Sequence, residues 1–248
     1  MIEYGHLIHR FGHLDGEALL APMLRDVFPG RLGLVSSFGA ESAVLLHMAA
    51  SLDRTVPVIF LETGKLFPET LAYRDRLISL LGLENVRSVT PEPAALHDRD
   101  PRGDLHASDP DACCHIRKVA PLERALVGLH AWVTGRKRFH GGARSHLATL
   151  EAAGPRLKIN PLARWSRDDL ARYLETHALP PHPLEAQGFT SIGCAPCTRP
   201  PGPGGSSRDG RWAGSPKTEC GIHWTHNGQP LRASARMKRS AMRGFTRL

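Results

Sequence analysis

The sequence predicts one α/β domain, built on a mainly parallel central sheet flanked by helices, with an appended C-terminal segment. Three observations predict this class. Short apolar runs at residues 32–37 and 56–61 are each followed by a loop and then by a helical pattern. Strand and helix patterns keep alternating as far as residue 177. A chain of 248 residues with 41% hydrophobic residues is long enough to bury such a sheet.

The first half of the chain predicts two strand–helix units after an N-terminal helix. Asp15 is placed to cap that first helix, which runs to about Val27. The strand at 32–37 precedes a helix at 43–52 that is apolar on nearly every side and is therefore expected beneath the sheet. The strand at 56–61 precedes a helix at 69–81, which Gly82 ends.

The loop between the first strand and its helix predicts an anion site. Gly39 lets the backbone approach a ligand closely, and the helix start presents unpaired N–H groups. The loop lacks the Gly-Lys-Ser/Thr ending of a Walker loop and the further glycines of a dinucleotide fingerprint. It resembles the PP-loop of the adenine nucleotide α-hydrolase-like superfamily, which implies a Rossmann-like fold and substrate contacts from Ser37, Phe38, Gly39, Ala40, Glu41 and Ser42.

Two further strand ends predict ligand contacts, because α/β sheets bind ligands at the carboxyl ends of their strands. Leu61, Thr63 and Gly64 stand at the end of the second strand. The cationic run 135–138, which contains Arg136, follows a strand at 131–134 and suits a phosphate or a sulfate. A solvated charge run is the alternative reading of that stretch.

The remaining helices, strands and loops are predicted from their local sequence patterns. Residues 86–89 predict a third strand, and the proline-rich stretch 91–110 predicts a loop. A helix is expected at 116–129 and a short strand at 157–159. Ser166 is placed to cap a last helix at 167–177.

Of the five cysteines, four form two pairs that are close in sequence, and the fifth stands alone. Cys113 and Cys114 are adjacent, Cys194 and Cys197 flank Ala-Pro, and Cys220 stands alone. An odd number of cysteines without a secretion signal argues for metal or redox chemistry. Adjacent thiols leave a helix about 100° apart, which suits a cluster with several metal corners better than one tetrahedral zinc ion. A zinc clip with two thiols buried as apolar groups is the alternative.

The composition changes to Gly, Ser, Pro and Arg between residues 202 and 214. This stretch predicts a mobile segment, with Arg208, Arg211 and Trp212 as its long side chains. It leads to Cys220, an arrangement that suits a nucleophile entering and leaving a pocket. We therefore expect a core over 1–200, a mobile segment with the lone thiol over 201–223, and a tail over 224–248.

The net charge of +8 comes mostly from that tail. Six Lys and Arg residues lie between 232 and 248, and without them the 32 basic residues nearly balance the 24 acidic ones. The balanced body does not favour nucleic acid as a partner, and a solvated end is the simpler reading of the tail, with RNA or an acidic partner as the alternative. No apolar run is long enough for a membrane span and the N-terminus has no signal-peptide pattern, which predicts a cytoplasmic protein without a membrane partner.

Six blocks in order resemble the assimilatory adenylyl-sulfate (APS) reductase family, whose relatives reduce phosphoadenylyl sulfate (PAPS). The blocks are 37–42, 63–71, Cys113-Cys114 with Arg117-Lys118, 134–136, 193–197 and 219–223. The resemblance implies a [4Fe-4S] cluster on Cys113, Cys114, Cys194 and Cys197, with Cys220 as the nucleophile. It also implies that Lys118 lies between the cluster and the substrate sulfate, and that Arg208 and Arg211 close over the phosphosulfate.

The implied activity is thiol-dependent reduction of APS to sulfite and AMP through an S-sulfocysteine, in sulfate assimilation and cysteine biosynthesis. The implied reductant is thioredoxin or glutaredoxin. Lys217 and His223 flank Cys220 and could lower its pKa, although each could also be a solvent-exposed neighbour. Glu62 and the stretch 139–142 depart from the family pattern.

Several alternatives remain open at this level. One is a PAPS reductase or an enzyme that accepts both nucleotides. Another is an RNA-binding or RNA-modifying PP-loop protein with a zinc site, and a third is a sulfonucleotide sensor without turnover. The sequence also leaves a homo-oligomer open.

Overall fold

The computed structural model describes residues 4–223 and contains a six-stranded sheet. The strand order is β3-β2-β1-β4-β6-β5, and every neighbouring pair is parallel except β5 and β6. The mainly parallel α/β fold predicted from sequence is confirmed. The strands are β1 Leu32–Ser36, β2 Val58–Leu61, β3 Val86–Val89, β4 Ala131–Thr134, β5 Leu150–Ala153 and β6 Arg156–Ile159.

Helices cover both faces of this sheet. The basic tail predicted at 224–248 lies outside the described residues. No helix within residues 4–223 is both long and apolar enough to cross a bilayer. The helices are α1 Gly5–Phe11, α2 Gly16–Pro22, α3 Ser42–Leu52, α4 Pro68–Leu81, α5 Pro93–Arg99, α6 Leu105–Ser108, α7 Pro110–Cys114, α8 Ala120–Ala125 and α9 Arg167–Thr176, and π-helical turns extend α2 over Met23–Val27 and join α7 to α8 over His115–Val119.

Local sequence signals fix several of these elements. Helix α3 is buried along nearly its whole length, as its apolar composition predicts. Helix α4 ends at Gly82, which adopts the left-handed conformation with φ 62°. Helix α9 begins with a capping box in which Ser166 and Asp169 exchange side-chain-to-backbone hydrogen bonds.

The structure differs from the prediction in several elements. The predicted loop 91–110 contains α5 and α6, because Pro93 occupies a first-turn position where its missing N–H costs nothing. The helix predicted at 116–129 begins at Pro110 and regular α-helix ends at Ala125, so the adjacent thiols lie on a helix. Strand β5 was not predicted; it forms a hairpin with β6.

The sheet topology places a binding site at one edge. Strand β1 lies between β2 and β4, and the order of the strands reverses there. The chain leaves β1 and β4 toward opposite sides, which opens a crevice beyond their carboxyl ends. The PP-loop leaves β1 at this point, and the cationic run 135–138 leaves β4.

Candidate active site

A cleft with a cavity volume of about 210 Å³ opens at this reversal point. Its walls come from the PP-loop, the ends of β2 and β4, the helix after the cysteine pair, and the stretches 190–193, 208–212 and 219–223. Most of the site residues predicted from sequence line it. They are Ser37, Gly39, Ala40, Glu41, Ser42, Leu61, Lys118, Arg136, Arg208, Arg211, Cys220 and His223.

The remaining predicted residues lie around the cleft and do not line it. Phe38 is fully buried and packs edge-on against Phe60, with ring centroids 5.4 Å apart. Its φ of 47° belongs to the tight turn that ends β1, so its contribution is to shape the loop. Thr63 lies beside Cys194, Gly64 lies next to the guanidinium of Arg117, and Lys217 is tied to the cysteine helix.

A buried ion pair braces the PP-loop. Lys137 Nζ donates to Glu41 Oε2 at 2.5 Å, and His140 Nε2 lies 3.2 Å from the same oxygen. Burial would raise the pKa of Glu41, but Lys137 and His140 together lower it to about 2. Glu41 is therefore an anion bonded within the protein. Lys137 belongs to the cationic run predicted to bind phosphate or sulfate, but in the structure its ammonium group pairs with Glu41.

Arg136 is held beside the cleft by polar groups of the β4–β6 layer. Its guanidinium forms an ion pair with Glu151 on β5 and contacts Asn160 Oδ1 at 3.3 Å. Asn160 in turn accepts from the Thr134 hydroxyl at 2.6 Å. The unpredicted strand β5 thus supplies the carboxylate that orients this arginine.

A second ion pair holds the segment that carries the lone thiol. Arg144 donates from Nε to Glu219 Oε1 at 2.5 Å and from Nη2 to Glu219 Oε2 at 2.8 Å. Arg208 donates to the Thr218 carbonyl at 2.9 Å. Burial would raise the pKa of Glu219, but Arg144 and Arg208 lower it. Glu219 directly precedes Cys220, so this fork fixes the backbone at the thiol.

Cys220 is half-buried and faces the cationic side of the cleft. Burial alone would lower the pKa of Lys118, but Cys194, Cys220 and Cys114 raise it, so Lys118 stays charged. The same ammonium group therefore lies close to the lone thiol and to members of both cysteine pairs. It offers a positive charge to an anion entering the cleft.

The two residues predicted to flank and activate Cys220 have other contacts. His223 stacks on Trp132 with the rings 4° from parallel, and burial together with Arg136 and Lys158 keeps its pKa well below 6.5. His223 is therefore neutral and adds no positive charge beside the thiol. Lys217 forms an ion pair with Asp111 on α7 and so ties the Cys220 segment to the cysteine helix.

The other four thiols line a second cavity that adjoins the cleft. None of them is in a disulfide. Helix α7 starts with Asp109 accepting from the Ala112 N–H at 2.9 Å, which places the first pair on its last turn. The second pair is attached to the loop after β2, where the Thr63 hydroxyl lies 3.3 Å from Cys194 Sγ. The cavity is lined by Cys113, Cys114, Cys194 and Cys197, with Lys118, Arg211, Trp212 and His106 among the neighbours.

The surroundings of this cavity suit an anionic, sulfur-rich group. Four buried side-chain nitrogen atoms lack a hydrogen-bond partner within residues 4–223, and three of them, His106 Nδ1, Arg211 Nε and Trp212 Nε1, belong to residues that line it. Buried donors need acceptors. No three His, Cys, Asp or Glu side chains in the described range converge tightly enough to hold one metal ion. Four thiols around one cavity fit a group with several metal corners better than a single zinc ion.

Comparisons with known proteins agree with this geometry. The phosphoadenosine phosphosulfate reductase domain model matches residues 31–200. The adenosine 5'-phosphosulfate reductase of Mesorhizobium japonicum is 54% identical over 213 residues, covering 86% of this chain and 84% of the relative. That of Chelativorans sp. is 52% identical over 225 residues, covering 90% and 91%. A crystal structure of phosphoadenylyl-sulfate reductase from Candida auris, in a phosphate complex, superposes with a TM-score of 0.66 at 25% identity, covering 78% of this chain and 95% of that one.

Proposed function

The chain belongs to the phosphoadenosine phosphosulfate reductase family, and we propose that it reduces adenylyl sulfate (APS) to sulfite and AMP with thiols as reductant. The observation that carries the proposal is the separation of the five thiols. Cys220 faces a cationic cleft, whereas the other four line a neighbouring cavity. A single accessible thiol beside an anion site is what a nucleophilic displacement at sulfur requires.

The reaction proceeds in three displacements. The Cys220 thiolate attacks the sulfur of APS, an S–S bond forms, and the S–O bond to AMP breaks with its electron pair leaving on the AMP phosphate. A thiolate of the reductant then attacks Cys220 Sγ and releases sulfite with the electron pair of the S–S bond. A second thiol of the reductant resolves the mixed disulfide, so the dithiol becomes a disulfide and the sulfur is reduced by two electrons.

Cations of the cleft offset the charge of the substrate. Lys118, Arg136, Arg208 and Arg211 line the same cavity as Cys220. Phosphate and sulfate bring at least two negative charges, which would repel a thiolate in the absence of these side chains. The cations also stabilise the charge that develops on the departing phosphate oxygen.

We assign the four remaining thiols to a [4Fe-4S] cluster. Cys113, Cys114, Cys194 and Cys197 would hold it, in agreement with the unpartnered N–H donors around their cavity. When bound, the cluster supplies an electrostatic and structural centre beside Lys118. The reductant is thioredoxin or glutaredoxin, since either supplies the vicinal dithiol that the second and third displacements consume.

APS is the preferred nucleotide in this proposal. Relatives at 54% and 52% identity carry the name adenosine 5'-phosphosulfate reductase, whereas the PAPS reductase from Candida auris is 25% identical. Turnover with APS and PAPS in competition tests the preference. Equal or better use of PAPS would replace APS as the assigned substrate.

Cys220→Ser tests the nucleophile. Wild-type protein given APS without a thiol should release one AMP per chain and gain the mass of one SO₃ group on Cys220, and sulfite should appear only after thioredoxin is added. The Ser variant should show neither AMP burst nor adduct. Ala213→Ser, at an exposed position of the same segment, should behave as wild type. Normal sulfite production by Cys220→Ser would disprove the assignment.

A further inference from the structure

A histidine of α6 borders the cavity of the four thiols. Its ring lines the cavity together with Cys113, Cys114, Cys194 and Cys197. This residue is His106, and its Nδ1 is shielded from solvent without a hydrogen-bond partner in the described range. In the tautomer with its hydrogen on Nδ1, this atom is a buried donor, and leaving such a donor unsatisfied costs about 1–3 kcal/mol. An acceptor within the cavity would remove that cost.

The backbone that carries His106 is fixed from three sides. The buried carboxylate of Asp100 accepts from the Leu105 N–H at 2.9 Å and from Arg117 Nη2 at 2.5 Å. Lys65 Nζ donates to the Gly103 carbonyl at 2.5 Å. Since Arg117 also donates to the Thr63 carbonyl at 2.7 Å, the short helix is attached to the loop that holds the second thiol pair. The ring is thereby held at the cavity.

We infer that His106 donates its Nδ1–H to a sulfur atom of the cluster, as a positioning residue that acts through the four thiolates. The inference rests on the proposed cluster. A hydrogen bond withdraws electron density from a thiolate or sulfide, which changes the strength of the iron–sulfur bonds and the retention of iron. The observations behind it are the unpartnered Nδ1 of one ring and a cavity lined by four thiols.

His106 can be separated from the other two unpartnered donors. Arg211 and Trp212 line the substrate cleft as well as the thiol cavity, so their substitution would alter both sites. His106 lines the thiol cavity alone. Its replacement therefore reports on the cluster without removing a group from the substrate cleft.

Two substitutions of similar size test the hydrogen bond. His106→Leu removes the donor, whereas His106→Asn places an amide nitrogen close to the position of Nδ1. His97→Leu, at an exposed histidine of α5, is the matched control. Each protein is purified anaerobically, its iron and sulfide are measured, its Fe–S stretching bands are recorded by resonance Raman spectroscopy, and its loss of iron to a chelator is timed.

His106→Leu should shift the Fe–S stretching bands and lose iron roughly tenfold faster than wild type. His106→Asn and His97→Leu should keep the wild-type bands and rate. Wild-type bands and rate in His106→Leu would overturn the inference while leaving the proposed function intact. Wild-type protein without iron and sulfide would overturn the cluster and the inference together. If the Leu variant does not accumulate, His106→Gln is used in its place. Identical Fe–S stretching bands in the Gln and Asn variants would then overturn the inference.

Discussion

The fork between Arg144 and Glu219 should control the order of the segment that carries Cys220. Both side chains are only about a tenth exposed, at 10% and 11%, and two hydrogen bonds join them. Arg144→Met leaves the carboxylate buried without its main partner, and Glu219→Leu leaves the guanidinium buried without its carboxylate. Arg208 still reaches Glu219 at 3.5 Å, so part of the interaction survives in the first variant.

The size of the effect follows from burial. Removing one partner of a buried pair costs about 3–5 kcal/mol, and the remaining exposure together with Arg208 reduces this to about 2 kcal/mol. Because 215–223 is a short surface segment, we expect the cost to appear as local opening and not as global unfolding. An energy of about 2 kcal/mol corresponds to roughly a thirtyfold change in the population of the open form.

Alkylation of Cys220 measures that opening directly. The rate of iodoacetamide labelling, followed by peptide mass mapping, should rise about thirtyfold in each single variant, in step with the estimated opening energy. Arg102→Met, which removes an arginine 83% exposed in a surface pair, is the matched control and should change the rate little. The opening free energy should change less in the double variant than the sum of the changes in the two single variants. Additivity of the two single variants to within about 0.5 kcal/mol would refute the coupling.

Three further variants test two buried charged groups and one helix cap. Lys158→Met should raise Tm at pH 6: burial and Arg136 lower the pKa of this lysine to about 7, so it is charged and penalised below pH 7. Above pH 7 the folded protein loses this proton while the unfolded chain still binds it, so wild-type stability rises with pH. The difference in Tm between Lys158→Met and wild type should therefore shrink toward pH 10. A difference that does not change with pH would contradict the burial of a charged lysine as its cause. Asp100→Asn should lower Tm by about 8 °C, because it leaves Arg117 buried without its carboxylate, and an unchanged Tm would show that the pair is dispensable. Ser166→Ala should lower Tm by about 3 °C with unchanged turnover, and a loss of turnover would mean that α9 affects the cleft.

Local interactions explain the elements that sequence reasoning placed correctly. Ser166 caps a helix through partners three residues away, and Gly82 ends one through its own backbone conformation. Such signals are complete within a few residues and need no knowledge of the fold. The apolar strands β1, β2 and β4 can also be predicted from local sequence, because a strand buried on both faces is apolar at successive positions.

Long-range pairs explain what the sequence could not reveal. Arg144 and Glu219 are 75 positions apart, and Lys137 and Glu41 are 96 apart. Before folding, each of these residues is one charge among many, and only the parallel pairing of β1 with β4 brings the second pair together. Strand β5 has the same origin, since its short edge sequence gains strand structure by pairing with β6.

The spacing of the cysteines predicted the partition of the thiols into four and one, but the layer of side chains between the two cavities is visible only in the structure. Lys118, Arg211 and Trp212 line both the cleft and the thiol cavity. A charge in one cavity therefore acts on the other across a single layer of side chains, where screening by water is weak. A cluster with a net negative charge would hold Lys118 in its charged form, as the nearby thiols already do. The proposed cluster can thus influence how an anion is bound beside Cys220 without passing electrons to it.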